Sequence, residues 1–186
     1  MNGKEQTITH IEEFLKSDEK CMLLTGTHQY KKHKLIVAVL NQHLERNLIL
    51  FRTNSMQNIT DDEFLGWAGV KKQPRAGDRV KIGKNTYEFD SLNTSSTWYK
   101  TNREFSCAIC YPIDSLCRNH NFETLDNLFR EKRIQKIFLV SWTDQNEYDY
   151  SKFSQYFSRH VIYDAEEEEP AYHRRVLDIV NENSHK

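Results

Sequence analysis

Apolar residues along the chain gather into short unbroken runs, separated by stretches with three- and four-residue periodicity. Cys21-Met22-Leu23-Leu24-Thr25 is the first run, and it ends at Gly26, the form of a strand buried on both faces of a parallel sheet. Asn47 to Arg52, Phe105 to Tyr111, Ile137 to Trp142 and His160 to Tyr163 repeat the form, each bounded by polar or turn-forming residues. Pro112 closes the third of these, because it has no N–H to give to a ladder. The pattern thus predicts five core strands.

The periodic stretches predict helices. Thr9 and Glu12 have the spacing of a capping box, and Ile11, Phe14 and Leu15 then share one face of a helix from Thr9 to about Ser17. Leu35, Ile36, Val39, Leu40 and Leu44 form one stripe on a helix of roughly four turns. The same residues, Leu35 to Leu40, are unbroken and branched, so a buried strand is the competing reading. Asp61 to Leu65 suggests one or two helical turns. Asn121 reads as the cap of a helix whose Phe122, Leu125, Leu128 and Phe129 share a face, with Lys132 and Arg133 at its C-terminal end. Tyr150, Phe153, Tyr156 and Phe157 mark another short helix, and Pro170 opens a final one containing Val176, Leu177 and Val180.

Strands alternating with helices predict an α/β fold: a three-layer arrangement around a mostly parallel five-stranded sheet, with helices on both faces and right-handed crossovers. Between the second and third strands the pattern changes. Val80 and Ile82 alternate with charge, a Gly-Lys-Asn turn follows at Gly83, and Tyr87 and Phe89 alternate on the return, which predicts a β-hairpin over 78–90. Asn93 to Thr101 reads as a loop or short helix leading back to the core. Residues 68–102 are therefore expected as a basic hairpin and loop insertion in a single domain spanning 1–186, a length that suits one core.

Charge and composition narrow the function. A net charge of -1 argues against a surface that binds polyanions everywhere, so any contact with nucleic acid must come from a local patch. The longest apolar run, Leu35 to Leu40, is far too short to span a bilayer, and the polar start Met1 to Gln6 has no apolar signal region; a cytoplasmic protein with no membrane partner is expected. The four cysteines fit reduced thiols better than a disulfide framework.

Gly26-Thr27-His28-Gln29-Tyr30-Lys31-Lys32-His33 has the length and place of a phosphate-binding loop, which reads Gly, four residues, then Gly-Lys-Ser/Thr. Gly26 and Lys32 match; Lys31 and His33 stand in place of the second glycine and the hydroxyl residue. A strand ending in Gly26, this loop, a helix and four further strand and helix units resemble the P-loop NTPase fold with a degenerate Walker A motif, over roughly Cys21 to Val180. The resemblance implies that Lys32 reaches the outer phosphates, that His33 replaces the hydroxyl that would hold magnesium, and that Lys31 replaces the glycine that lets the backbone wrap a phosphate. Where the family ends its third strand with an acidic residue, this chain has Tyr111-Pro112, and the nearest carboxylate is Asp114; Asp144 falls where a polar sensor often sits. The expectation is phosphate binding without turnover by Gly26, Thr27, His28, Lys31, Lys32 and His33, beside a helix N-terminus whose N–H groups and dipole favour an anion. The plain alternative is a solvated lysine surface at a strand end.

Three further groups carry chemistry. Lys71, Lys72, Arg75, Arg79, Lys81 and Lys84, opposed only by Asp78 and followed by Tyr87, Phe89, Trp98 and Tyr99, could track a phosphodiester backbone and stack bases; a solvated hairpin with its aromatics buried beneath it is the other reading. Cys107-x2-Cys110 and Cys117-x2-His120 have the letters of a zinc site, but residues three apart on a strand point to opposite faces, and buried thiols account better for Cys107 and Cys110. Glu166 to Glu169 read as a solvated turn and the acidic lead-in to the last helix. No nucleophile elbow and no dinucleotide-binding glycine pattern is present. Two functions follow. One is a non-hydrolysing, P-loop-like binding or interaction module for a phosphate-bearing partner, nucleic acid or a nucleotide, with a protein partner also open. The other is a nonstandard metal-dependent nucleotide hydrolase or nuclease assembled from His28, His33, Asp144 and His120. No catalytic residue, metal or cofactor is assigned.

Overall fold

The structure is a computed structural model that describes residues 2–119, 122–143 and 148–183. Its centre is one seven-stranded sheet: β1 (Cys21–Thr25), β2 (Leu48–Thr53), β3 (Arg79–Ile82), β4 (Asn85–Ser91), β5 (Glu104–Cys110), β6 (Arg133–Val140) and β7 (Arg159–Ile162), in the spatial order β3-β4-β2-β5-β6-β1-β7. Only β3 and β4 pair antiparallel; all other neighbours are parallel. Among the described residues five α-helices accompany it: α1 (Lys4–Lys16), α2 (Lys32–His43), α3 (Asp114–Asn119), α4 (Glu123–Asp126) and α5 (Pro170–Asn183).

Strand side chains alternate between two separate cores, which is why the runs read as continuously apolar. On one face Met22, Leu24, Ile49, Phe51, Ile109 and Phe138 pack with Ile11 and Phe14 of α1 and Ile36, Val37 and Leu40 of α2. On the other, Cys21, Leu23, Leu50, Ala108, Ile137 and Leu139 pack with Leu116 of α3, Leu125 of α4, and Leu128 and Phe153. The stretch Leu35 to Leu40 is helical. Its branched side chains are tolerated because Ile36, Val37 and Leu40 are all fully buried against the sheet, and packing outweighs propensity.

The expected five strands become seven, because the hairpin belongs to the sheet. β4 runs parallel to β2 from Leu48↔Thr86 to Thr53↔Ser91 and leaves β3 at one edge, with β7 at the other. Tyr87 and Phe89 join the α2-side core, while Glu88 and Asp90 are buried on the opposite face with partners of their own. Two other expectations shift. Helix α1 begins at Lys4 rather than at Thr9, whose hydroxyl instead bonds the Glu5 carbonyl inside the helix. The segment after α4 closes as one π-helical turn, Asn127–Glu131, and Lys132 is buried. Asn121, read as a helix cap, lies outside the described residues. No helix among the described residues is long and apolar enough to cross a membrane.

Candidate functional site

The connection from β1 leads through α2 to β2 on one side, whereas the chain leaving β6 passes to β7 on the other side of β1. The carboxyl ends of the neighbours β1 and β6 are therefore a topological switch point, where open α/β sheets form their ligand crevice. The 26–33 loop, with Gly26, Thr27, His28, Lys31, Lys32 and His33, lies there.

Lys32 is fully buried at this point. Its Nζ donates to the Gly26 carbonyl and, at 3.2 Å, to the Trp142 carbonyl, bridging the ends of β1 and β6. Asp114, the carboxylate nearest the end of β5, accepts the N–H groups of Trp142 at 2.7 Å and Thr143 at 3.0 Å. Burial raises its pKa, against those two N–H bonds and the charge of Lys32. His33 is also fully buried; its Nε2–H donates to the Phe64 carbonyl at 2.8 Å, its ring stacks on Tyr111 at 4.0 Å, and Nδ1 is left without a partner. Burial pushes its pKa down to about 3, so the imidazole is neutral.

The loop amides face inward to the C-terminal segment. Thr27 N–H donates to Asp164 Oδ1 at 3.0 Å, His28 N–H to the Tyr163 carbonyl at 3.4 Å and Gln29 N–H to the Tyr172 hydroxyl at 3.4 Å. Thr27 Oγ1 accepts from Ala165 N–H at 2.9 Å and lies 2.8 Å from His173 Nδ1. His28 packs its ring 4.3 Å from that of Tyr163, with Nε2 buried 3.5 Å from Glu168 Oε1 without a hydrogen bond. Burial, then the charge of Lys31, lowers its pKa against the pull of Glu168 and Glu169. Lys31 pairs with Glu169 and lies 3.8 Å from Glu168, and Lys34 sits 5.7 Å over the Trp67 ring. Gly26 is the hinge of the arrangement: its φ is +117°, and a Cβ there would lie 2.2 Å from the Tyr163 carbonyl oxygen.

The basic group is arranged differently. Lys71, Lys72, Arg75, Arg79, Lys81 and Lys84 are all exposed, Arg79 and Lys81 projecting from the edge strand β3. Arg79 pairs with Glu88 at 2.9 Å and Lys71 reaches the Gly66 carbonyl at 3.5 Å. The side chains of Lys72, Arg75, Lys81 and Lys84 make no ion pair among the described residues. The aromatics expected to stack bases are not with them: Tyr87 and Phe89 are fully buried because β4 is an interior strand, and Trp98, in the turn after it, is nearly so, its Nε1–H on the Ser91 carbonyl. Only Tyr99 is exposed, at 76%.

The cysteine letters do not converge either. Cys107 belongs to the α2-side core and Cys110 and Cys117 to the opposite one, and burial pushes all three thiols up to about 12. No group of three His, Cys, Asp or Glu placed to hold a metal ion is found among the described residues. His120 and Asp144, named with the zinc and hydrolase readings, lie outside the described residues.

Two features carry no signal along the sequence. Arg52, fully buried, directs its donors to Asp90 Oδ1 and Oδ2, each at 2.7 Å, to the Thr124 carbonyl and hydroxyl, and to Asn127 Oδ1. It also lies 4.9 Å from the Trp98 ring. The second is a cavity of about 240 Å³ beside the loop, lined by Tyr30, Asn54, Ser55, Asn58, Glu63, Phe64, Tyr111, Pro112 and Trp142. Its residues come from the connections after β1, β2, β5 and β6, so no stretch of sequence shows them as a set. No protein-family model and no curated protein matches the chain.

Proposed function

We propose that the chain is a non-hydrolysing binding module of P-loop-like architecture that recognises a phosphate-bearing partner, nucleic acid in particular, through the basic edge of its sheet. The observation that carries this reading is the division of its cations. Lys31 and Lys32 are committed to Glu169 and to backbone carbonyls, and three loop amides are committed to residues 163–172. Lys72, Arg75, Lys81 and Lys84 instead stand in solvent around β3. Exposed cations along an edge repel a second strand and attract a phosphodiester backbone by the same charge.

The parts that hydrolysis requires are used elsewhere. His33 gives its N–H to Phe64, and Asp114 turns its oxygens to the backbone of 142–143, so neither is a hard oxygen ligand open to magnesium. The test combines binding and turnover. A labelled single-stranded oligonucleotide is expected to bind, to lose affinity in Lys72→Ala/Lys81→Ala/Lys84→Ala, and to keep it in Lys31→Ala. ATP and GTP with magnesium are expected to release no phosphate. Magnesium-dependent phosphate release, or oligonucleotide affinity unaffected by the triple substitution, would contradict the proposal.

A further inference from the structure

The cavity at the carboxyl ends of the strands has a lining chemistry unlike that of the basic edge, with which it shares no residue. Four of its nine lining residues are aromatic, Tyr30, Phe64, Tyr111 and Trp142, and the polar ones are Asn54, Ser55, Asn58 and Glu63. No lysine, arginine or histidine lines it. The carboxamide oxygen of Asn54 is buried with no hydrogen-bond partner, an acceptor awaiting a donor. Glu63 is the one charged side chain in the lining. Outside the lining, Lys34 is acted on by Asp62, Glu63 and Lys31 and sits 5.7 Å over the Trp67 ring, and the buried Lys32 ammonium is committed to the Gly26 and Trp142 carbonyls. The lining therefore offers a cation one carboxylate and no side chain of its own sign.

Ring geometry narrows the ligand further. Tyr30 and Trp142 lie 5.9 Å apart with their planes at 57°, and Phe64 and Tyr111 lie 5.5 Å apart at 62°. A flat nucleobase seeks parallel faces, whereas a compact, roughly spherical cation is best surrounded by rings set at steep angles, each offering the negative face of its π-system. We infer that this cavity is a cage for an alkylated ammonium head group, held by the four rings and by Glu63, with a residual N–H given to Asn54. The volume of about 240 Å³ suits such a head group rather than a whole nucleotide. An anion finds no cationic side chain in the lining and is opposed by Glu63.

The cage predicts a measurable preference for charge. Trimethylammonium chloride, titrated into the full chain at constant ionic strength and followed by NMR, is expected to bind saturably and to move the ring signals of Tyr30, Phe64, Tyr111 and Trp142. Tert-butyl alcohol, similar in size and also a donor but neutral, should bind about tenfold more weakly or worse. Glu63→Gln and Tyr30→Ala should each weaken the cation by about tenfold, and Trp67→Phe should leave it unchanged. Glu63 is exposed and Tyr30 partly so, so both variants are expected to fold, and their amide spectra verify this. Equal affinity for the alcohol, adenosine binding in the same rings with no response to trimethylammonium, or no saturable shift would each overturn the inference.

Discussion

Lys32, His33 and Arg52 are charged or titratable residues placed where water cannot reach, and each is kept there by a different device. Lys32 has carbonyl acceptors, His33 gives up its charge, and Arg52 has a full complement of partners. Removing a partner from a buried ion pair leaves the other charge uncompensated, so Asp90→Asn is expected to destabilise the fold by about 3–5 kcal/mol in urea unfolding. A loss below about 1 kcal/mol would show that Arg52 escapes to solvent. His33 makes the fold acid-sensitive. Its pKa is about 3 in the fold and near 6.5 when unfolded, so the unfolded chain binds the extra proton. The associated stability is complete above about pH 6.5 and is lost as the pH falls toward 3, which amounts to about 2 kcal/mol by pH 5. His28, also depressed, acts in the same direction. His33→Leu should flatten the difference in unfolding free energy between pH 7 and pH 5, whatever it does at pH 7. An unchanged difference would contradict this.

At the scale of elements, the loop after β1 is tied to the segment after β7 and to α5 by Thr27, His28 and Gln29, and the close approach at Gly26 sets that junction. Gly26→Ala brings a Cβ onto the Tyr163 carbonyl at a positive φ and is expected to cost at least about 2 kcal/mol. It should also lower amide exchange protection at Tyr163, whose N–H bonds the Thr25 carbonyl. Undiminished thermal stability would mean that the junction yields freely. What the sequence disclosed follows the same division between local and long-range. Strands buried on both faces announce themselves as unbroken apolar runs, so β1, β2, β5 and β6 were legible, as were the short edge strand β7 and the alternation of the 79–91 hairpin. The run Leu35 to Leu40 left helix and strand both open until α2 was seen. The parallel pairing of β4 with β2 was not legible. Glu88 and Asp90 look solvent-facing until their partners, Arg79 and the Asn102 N–H for one, Arg52 and Thr101 for the other, are seen in space. The loop position was legible from Gly26 and Lys32, but its commitment to residues 163–173 depends on side chains more than 130 residues away. The cage was invisible for the same reason.

For the whole molecule, a net charge of -1 conceals a spatial separation. The acidic turn at 166–169 neutralises the loop, while the cations around β3 are left to solvent, which gives a near-neutral protein one basic edge. Binding of a single-stranded nucleic acid to such an edge should be driven by counterion release, with each phosphate neutralised contributing about 0.7 to the slope of log affinity against log salt. The most direct measurement is that slope, taken by fluorescence anisotropy with a labelled oligonucleotide for the native chain and for Lys72→Ala/Lys81→Ala/Lys84→Ala. The account predicts a linear dependence whose slope falls by about 2 in the triple variant, as it must if each of the three lysines neutralises one phosphate. An identical slope in the two proteins, or no salt-dependent binding by the native chain, would contradict it.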